Sequence, residues 1–276
     1  LSIFLLYVSM LLAVDIGNTN IVFAAHDGES WVHHWRVQTV KEKMPDEYGL
    51  LFHAFLREAA FDTVEFEQVV LSSVVPPVTW KIEQMLQKQT GRTPLVISHL
   101  VETGLAFRVK NPAEVGADLI ADAVAAYARF GGACISVDFG TATTFVAVSD
   151  RAEFLGVAIA PGANLMAASL AGGTSQLPQI ALELPESAIG TDTVSALSAG
   201  IMLGYLGLIE RLITRIRQEM AERGIAGPIP VVATGGLGPF IAPLTACFEV
   251  YDPWHTLNGM RLIALRNSES RECERS

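Results

Sequence analysis

The chain has 276 residues, 50% of them hydrophobic and 17% charged, with a formal net charge of −10. That length can bury a substantial core, and the composition excludes a disordered chain. The acidic balance argues against a surface that grips DNA or RNA by neutralising phosphates, although a single nucleotide bound through backbone amides and a metal stays open.

The three cysteines, Cys134, Cys247 and Cys273, are too few and too scattered for a disulfide framework or a Cys-x-x-Cys zinc site. A reducing cytoplasm is the expected setting. The opening run LSIFLLYVSMLLAV is too short to cross a bilayer and lacks the positive start and cleavage site of a signal peptide. Its second half reads as a buried strand, so residues 1–9 are expected to be an extension, with Met10 an alternative start.

From Leu11 the pattern is strand, turn, strand: LLAVDIG, NTN, then a long β-rich run in which Asp27-Gly28 signals a hairpin. DEYGLLFHAFLREAA has helical period, with Tyr48, Leu51, Phe52 and Phe55 on one face. A buried strand within VEFEQVVLSSVVPP, a helix closed by Gly91, and a strand TPLVIS follow. After Asn111-Pro112 comes a long helix, AEVGADLIADAVAAYARFG, stopped at Gly131-Gly132. Alternation of strands and helices predicts an α/β fold with at least partly parallel sheets.

The opening theme then returns. CISVDFGTATTFVAV repeats LLAVDIGNTNIVFAA in outline, and Asp15 and Asp138 stand a domain's length apart. That spacing predicts a duplicated fold unit, with halves at 10–128 and 129–267. Beyond lie a proline-bounded stretch around LPQIALELP, the helical SALSAGIMLGYLGLIERLITRIRQEMAERG, a strand PIPVVATGG, and a tail from 266 to 276 that reads as frayed, with 268–276 an extension.

Two turns carry the chemistry. Asp15-Ile16-Gly17-Asn18-Thr19-Asn20 and Asp138-Phe139-Gly140-Thr141-Ala142-Thr143-Thr144 both follow buried strands. Glycine with small hydroxyl or amide residues can aim several N–H groups at phosphate oxygens, and an aspartate at the strand end can hold a hard cation directly or through water. A third glycine element, Ala233 to Gly238, could expose backbone to a base or ribose. Neither a Gly-x-x-x-x-Gly-Lys loop nor a Gly-x-Gly-x-x-Gly helix start is present. His33, His34 and His99 form no ligand cluster in the sequence.

The paired Asp-x-Gly turns with the late Thr-Gly-Gly resemble the actin, hexokinase and sugar-kinase superfamily. The finer motifs resemble type III pantothenate kinases: LLAVDIGNTN, DEYG at 46–49, SSVVP at 72–76, NPAEVGAD at 111–118, VDFGTATTF at 137–145, AIAPG at 158–162, IG-x-x-T at 189–193, ATGGL at 233–237 and LNGMRLI near the end. The resemblance implies duplicated ribonuclease H-like (actin-like ATPase) domains with mixed sheets flanked by helices. It implies ATP-dependent phosphorylation of pantothenate to 4'-phosphopantothenate, the first step of coenzyme A biosynthesis, by a cytoplasmic homodimer without nucleic-acid or membrane partners. ATP, Mg2+ and a monovalent cation, K+ or NH4+, are the implied cofactors.

Residue by residue, the resemblance implies that Asp15, Ile16, Gly17, Asn18, Thr19, Asn20, Ile21 and Val22 bind ATP together with Thr141. Asp138 helps hold the monovalent cation and Asp118 is the general base. The acceptor meets Val109, Gly116, Ala117, Asp118, Leu119 and Thr193. Near a helix start, Asp118 is expected to sit where backbone dipoles favour its charged form.

The chain departs from the family pattern at two acceptor positions. Leu119 follows Asp118 where the family usually has arginine, and Val109 stands where it usually has tyrosine. Arg108 and Lys110 flank Val109 and are expected to be solvated. Three readings follow: a pantothenate kinase with substituted contacts, a kinase of another small hydroxylated acceptor, or a non-catalytic ATP-binding regulator.

Overall fold

The structure, a computed structural model, describes residues 10–61 and 66–273, with side chains as far as 268. The extension expected at 1–9, with its alternative start, lies outside the described residues, as does the very end of the expected tail. The chain divides into two compact units, one of residues 1–104, 111–125 and 256–276, the other of 105–110 and 126–255. The units are thus interleaved in sequence, and the C-terminal helix belongs with the first, whereas the repeat spacing led to a single cut at 128/129.

In the first unit, β1 (Met10–Ile16) and β2 (Asn20–His26) form a hairpin that β3 (Trp31–Gln38) extends. Helix α1 (Pro45–Glu58) leads to β4 (Phe66–Ser73), and helix α2 (Pro76–Thr90) to the short β5 (Leu95–Val96). The sheet runs β3-β2-β1-β4-β5, antiparallel on the hairpin side and parallel from β1 to β5. Alternation along β1 sends Leu12, Val14 and Ile16 into a core shared with Tyr48 and Phe52 of α1 and Ile82 and Leu86 of α2. Pro76 and Pro77 open α2, where a missing N–H costs nothing, and Gly91 closes it in the left-handed region.

The opposite face of that sheet carries Leu11, Ala13 and Asp15. It meets α7 (His255–Cys273), where the Gln68 side chain donates to Ser268 Oγ at 2.8 Å. Helix α7 lies tightly on α3 (Ala117–Phe130): a Cβ on Gly259 would fall 1.9 Å from the Ala121 carbonyl oxygen, so only glycine fits there. This contact gives LNGMRLI its glycine. The tail read as frayed is helical to Cys273, and Asn267 bonds both to Glu102 and within its own helix.

In the second unit, β7 (Cys134–Phe139), β8 (Ala142–Val148) and β9 (Glu153–Pro161) form an antiparallel meander. Beside β7 run β10 (Val231–Thr234) and β11 (Val250–Tyr251), both parallel to it. The order β9-β8-β7-β10-β11 repeats that of the first unit, with β6 (Ala106–Phe107) added beside β9. Helices α4 (Ala163–Gly173), α5 (Thr193–Glu222) and the short α6 (Gly238–Ile241) complete it. Met202, Tyr205, Ile209 and Ile213 of α5 pack on Val137, Phe139 and Phe145, forming the second core. The duplication expected from the two Asp-x-Gly turns is therefore a duplication of sheet topology.

Candidate active site

In the first unit the hairpin places Asp15 one residue before the end of β1, at the mouth of the turn. The ladders align Asp15 with Val22 on β2 and Ser72 on β4, and Val22 with Arg36 on β3, so the four stand in one row across the sheet. The turn closes by Gly17 N–H donating to the Asn20 carbonyl at 2.9 Å. Asn18, Thr19 and Asn20 are exposed. Burial pushes the Asp15 carboxyl up to about 6, and the Asp118 charge adds to the push. A weak contact from the Ser72 hydroxyl, which has no partner within hydrogen-bond geometry among the described residues, and the charge of Arg36 offset the rise only in part.

Asp118 belongs to the same unit, in the first turn of α3. Its Oδ1 accepts from the Leu119 N–H at 2.8 Å. Burial holds its pKa above the ordinary carboxylate range, and the amides of Leu119 and of Asp118 itself pull the other way. The expectation that the helix start favours the charged form is thus met in kind and outweighed in size, because loss of water costs the carboxylate more than two amides return. A carboxyl with a raised pKa is the better proton acceptor.

Leu119 is only 8% exposed and ranks among the buried apolar side chains. Gly116 is partly buried and Ala117 buried at the start of α3. In SSVVP, Ser73 Oγ bonds to Thr79 Oγ1 at 2.7 Å and accepts from Val75 N–H, fixing the passage from β4 into α2.

The second unit repeats the turn in a tighter form. Gly140 N–H donates to the Ala142 carbonyl, and Gly162 N–H donates to the Thr141 carbonyl, both at 3.1 Å. Asp138 is partly buried and Thr141 exposed. After β10, Gly235 has φ +90°, and a Cβ there would fall 2.2 Å from Asp138 Oδ1. Gly238 is likewise covered by the Tyr251 ring. Gly235 and Gly238 let the chain press against Asp138 and Tyr251, while Gly236 between them is exposed.

Thr193 is exposed at the first position of α5, whose N-cap Asp192 accepts from Val194 and Ser195 amides. Val109 is partly buried after β6. Arg108 is not merely solvated: it pairs with Glu153 at 2.6 Å. Among the described residues, no three His, Cys, Asp or Glu side chains gather as a metal centre.

The sequence profile described as type III pantothenate kinase matches residues 11–215. A type III pantothenate kinase of Moorella thermoacetica is 45% identical over 94% of this chain and 100% of its own length. Another, of Geobacillus kaustophilus, is 39% identical over 95% and 100%. The chain belongs to the type III pantothenate kinase family.

Solved structures agree on the fold. MreB 5 of Spiroplasma citri bound to AMPPNP aligns with a TM-score of 0.57 at 8% identity, covering 96% of this chain and 99% of that one. The ethanolamine utilization protein EutJ of Carboxydothermus hydrogenoformans aligns at 0.50 with 16% identity, covering 94% and 89%. The family fold is therefore the duplicated actin-like ATPase architecture, built here from two mixed sheets with helices on their faces.

Two residues near the first turn were not singled out in the sequence. Ser72 lies inside a motif but is one of two adjacent serines, and only the strand register makes it the neighbour of Asp15. Thr39 lies in no motif at all, and its contact with the turn depends on β3 folding back on β2.

Proposed function

We propose that the chain transfers the γ-phosphoryl group of ATP to the hydroxyl of pantothenate, giving 4'-phosphopantothenate and ADP at the first step of coenzyme A biosynthesis. The observation that carries this reading is the full-length match to curated kinases of one named activity. The two partly buried carboxylates of the first unit, with the charge of Asp118 acting on Asp15, support it.

Asp118 acts as the base. As the acceptor oxygen attacks the γ-phosphorus, its proton passes to the Asp118 carboxylate, the bond to the β,γ-bridging oxygen breaks, and ADP departs with that electron pair. Such a transfer is loose, so positioning and charge neutralisation supply most of the acceleration. The turn from Asp15 through Val22 holds phosphate oxygens by its amides, and Thr141 adds a contact from the second turn. Gly116, Ala117, Leu119, Val109 and Thr193 meet the acceptor, with an apolar contact at 119 and 109 in place of a charged and a phenolic one.

Mg2+ fits the donors of the first unit. Asp15 is a hard oxygen ligand whose ionisation is opposed by burial and by Asp118, and a cation relieves both. Mg2+ commonly keeps several waters and phosphate oxygens beside one or two carboxylates. Bound there, it would neutralise charge developing on the phosphates. Asp138, pressed by Gly235, is the residue assigned to K+ or NH4+.

We assign a homodimer in the cytoplasm, with α4 and α5 as its contact. Between these helices lies a cavity of about 410 Å3 lined by Met166, Leu170, Leu197 and Ile201. Leu165, Val194 and Leu203 are exposed around it. Helix α5 is long and apolar enough to cross a membrane, but its buried side packs into the second core.

The test is ADP formation by purified protein with Mg2+ and K+, with and without pantothenate, beside a panel of neutral hydroxyl compounds. Pantothenate-dependent turnover is expected. Its absence at millimolar pantothenate, with turnover on another acceptor, would move the chain to a different substrate. Sedimentation equilibrium tests the dimer.

A further inference from the structure

Thr39 follows β3 and makes two contacts with the first turn. Its N–H donates to the Thr19 carbonyl at 2.9 Å, and its Oγ1 donates to the Gly17 carbonyl at 2.7 Å. Each carbonyl shares a planar, trans peptide unit with the next residue's N–H. Fixing the Gly17 carbonyl therefore fixes the direction of the Asn18 N–H, and fixing the Thr19 carbonyl fixes that of the Asn20 N–H.

Thr39 is itself held. The adjacent Val40 is bonded on both sides by the fully buried Tyr48, whose hydroxyl donates to the Val40 carbonyl at 2.8 Å and accepts from the Val40 N–H at 3.3 Å. Tyr48 is the tyrosine of DEYG, a motif that no step of the chemistry uses. The chain α1, Tyr48, Val40, Thr39, turn thus connects a core helix to two peptide planes of the phosphate-binding loop. The second unit has half of this device: Gly162, at the position after β9, donates its N–H to the Thr141 carbonyl but has no side chain to reach further.

We propose that Thr39 is a positioning residue for ATP, setting the amide directions of the first turn through its hydroxyl, with Tyr48 as its brace. The inference rests on the reading of that turn as the phosphate cradle. A preorganised amide set binds phosphate without first freezing the loop, so loss of the hydroxyl should weaken ATP and leave the acceptor alone.

The experiment compares Thr39→Val, Thr39→Ser and Gly17→Ala with the unaltered chain, reading the ATP Kd by calorimetry, KM for ATP and for pantothenate, and thermal melting. Valine keeps the shape and removes the donor; it should raise the ATP Kd and KM about three- to tenfold, with the pantothenate KM within about twofold. Serine should restore ATP binding. Gly17→Ala perturbs the turn directly, since the added Cβ would meet the Asn20 carbonyl oxygen at 3.3 Å, and should weaken ATP whatever Thr39 does. If Gly17→Ala weakens ATP while Thr39→Val does not, or if serine fails to rescue, the role of Thr39 is overturned. If neither weakens ATP, the phosphate-cradle reading itself is overturned. Should the valine variant fail to fold, Thr39→Ala is read against the same expectations.

Discussion

The Asp118 charge makes Asp15 harder to ionise: burial lifts the Asp15 carboxyl to about 6, and its neighbour across the first unit adds to the rise. Both groups are raised above their ordinary range, so the protein holds two carboxylates where water would hold them more cheaply. That is a reason to expect a cation at this place and a cost to stability without one.

The sign of the pH dependence follows from the raised value. Between about pH 4 and pH 6 the folded chain keeps the Asp15 proton that the unfolded chain has lost, so stability falls as pH rises through that window. The loss is at most about 3 kcal/mol, from two pKa units at about 1.4 kcal/mol each. Denaturant melts of the metal-free protein should lose stability from pH 4.5 to 7, and Asp15→Asn should flatten that slope and gain stability at pH 7.5 while losing turnover. An unchanged slope in the variant would remove Asp15 as its cause.

Asp118→Asn keeps the shape and removes the proposed proton acceptor. We expect kcat to fall by about 10²–10⁴, with the ATP Kd close to that of the unaltered chain. A comparable loss in ATP affinity would make Asp118 a binding group rather than the base. The same variant should also lower the midpoint at which Asp15 titrates, because one of the two causes of its rise is gone.

Gly235→Ala tests the support of the second turn. At φ +90° any side chain is strained, and its Cβ would collide with Asp138 Oδ1 at 2.2 Å and the Phe139 nitrogen at 2.5 Å. A loss of about 2–3 kcal/mol in unfolding free energy is expected, together with a higher K+ requirement if Asp138 is displaced. Retention of the K+ response in a destabilised variant would free Asp138 from that role.

Leu119→Arg supplies the cation expected beside the proposed base. Pantothenate is a carboxylate, and a charged hydrogen bond is worth about 1.5–3 kcal/mol, so its KM should fall about tenfold or more, with the ATP KM unchanged. Since leucine is only 8% exposed there, the variant should also melt earlier, the guanidinium having to leave an apolar place. Equal changes in both KM values would count against an acceptor contact at 119.

Much of the fold was legible locally. The apolar run of LLAVDIG ending in a glycine turn and the helical face of Tyr48, Leu51, Phe52 and Phe55 are properties of short segments, and the structure places them as read. The sequence repeat around Asp15 and Asp138 announced two sheets of like order, because a strand, a tight turn and a returning strand allow few topologies. The tail was misread because serine, glutamate and arginine look solvent-bound in isolation. Its helix is held by Ser268 on Gln68 and Asn267 on Glu102, partners far away in sequence.

By itself the sequence determined which residues carry charge, where the chain must turn, and that Asp118 stands next to a leucine instead of a cation. Tertiary structure alone decided that Asp15 and Asp118 feel one another, that Leu119 lies buried, that Gly235 and Gly238 press on Asp138 and Tyr251, and that Thr39 grips the first turn. The reason is common to all four. Desolvation, steric contact and hydrogen bonding depend on which atoms come within a few ångströms, and strand register and helix packing bring together residues that the chain keeps far apart.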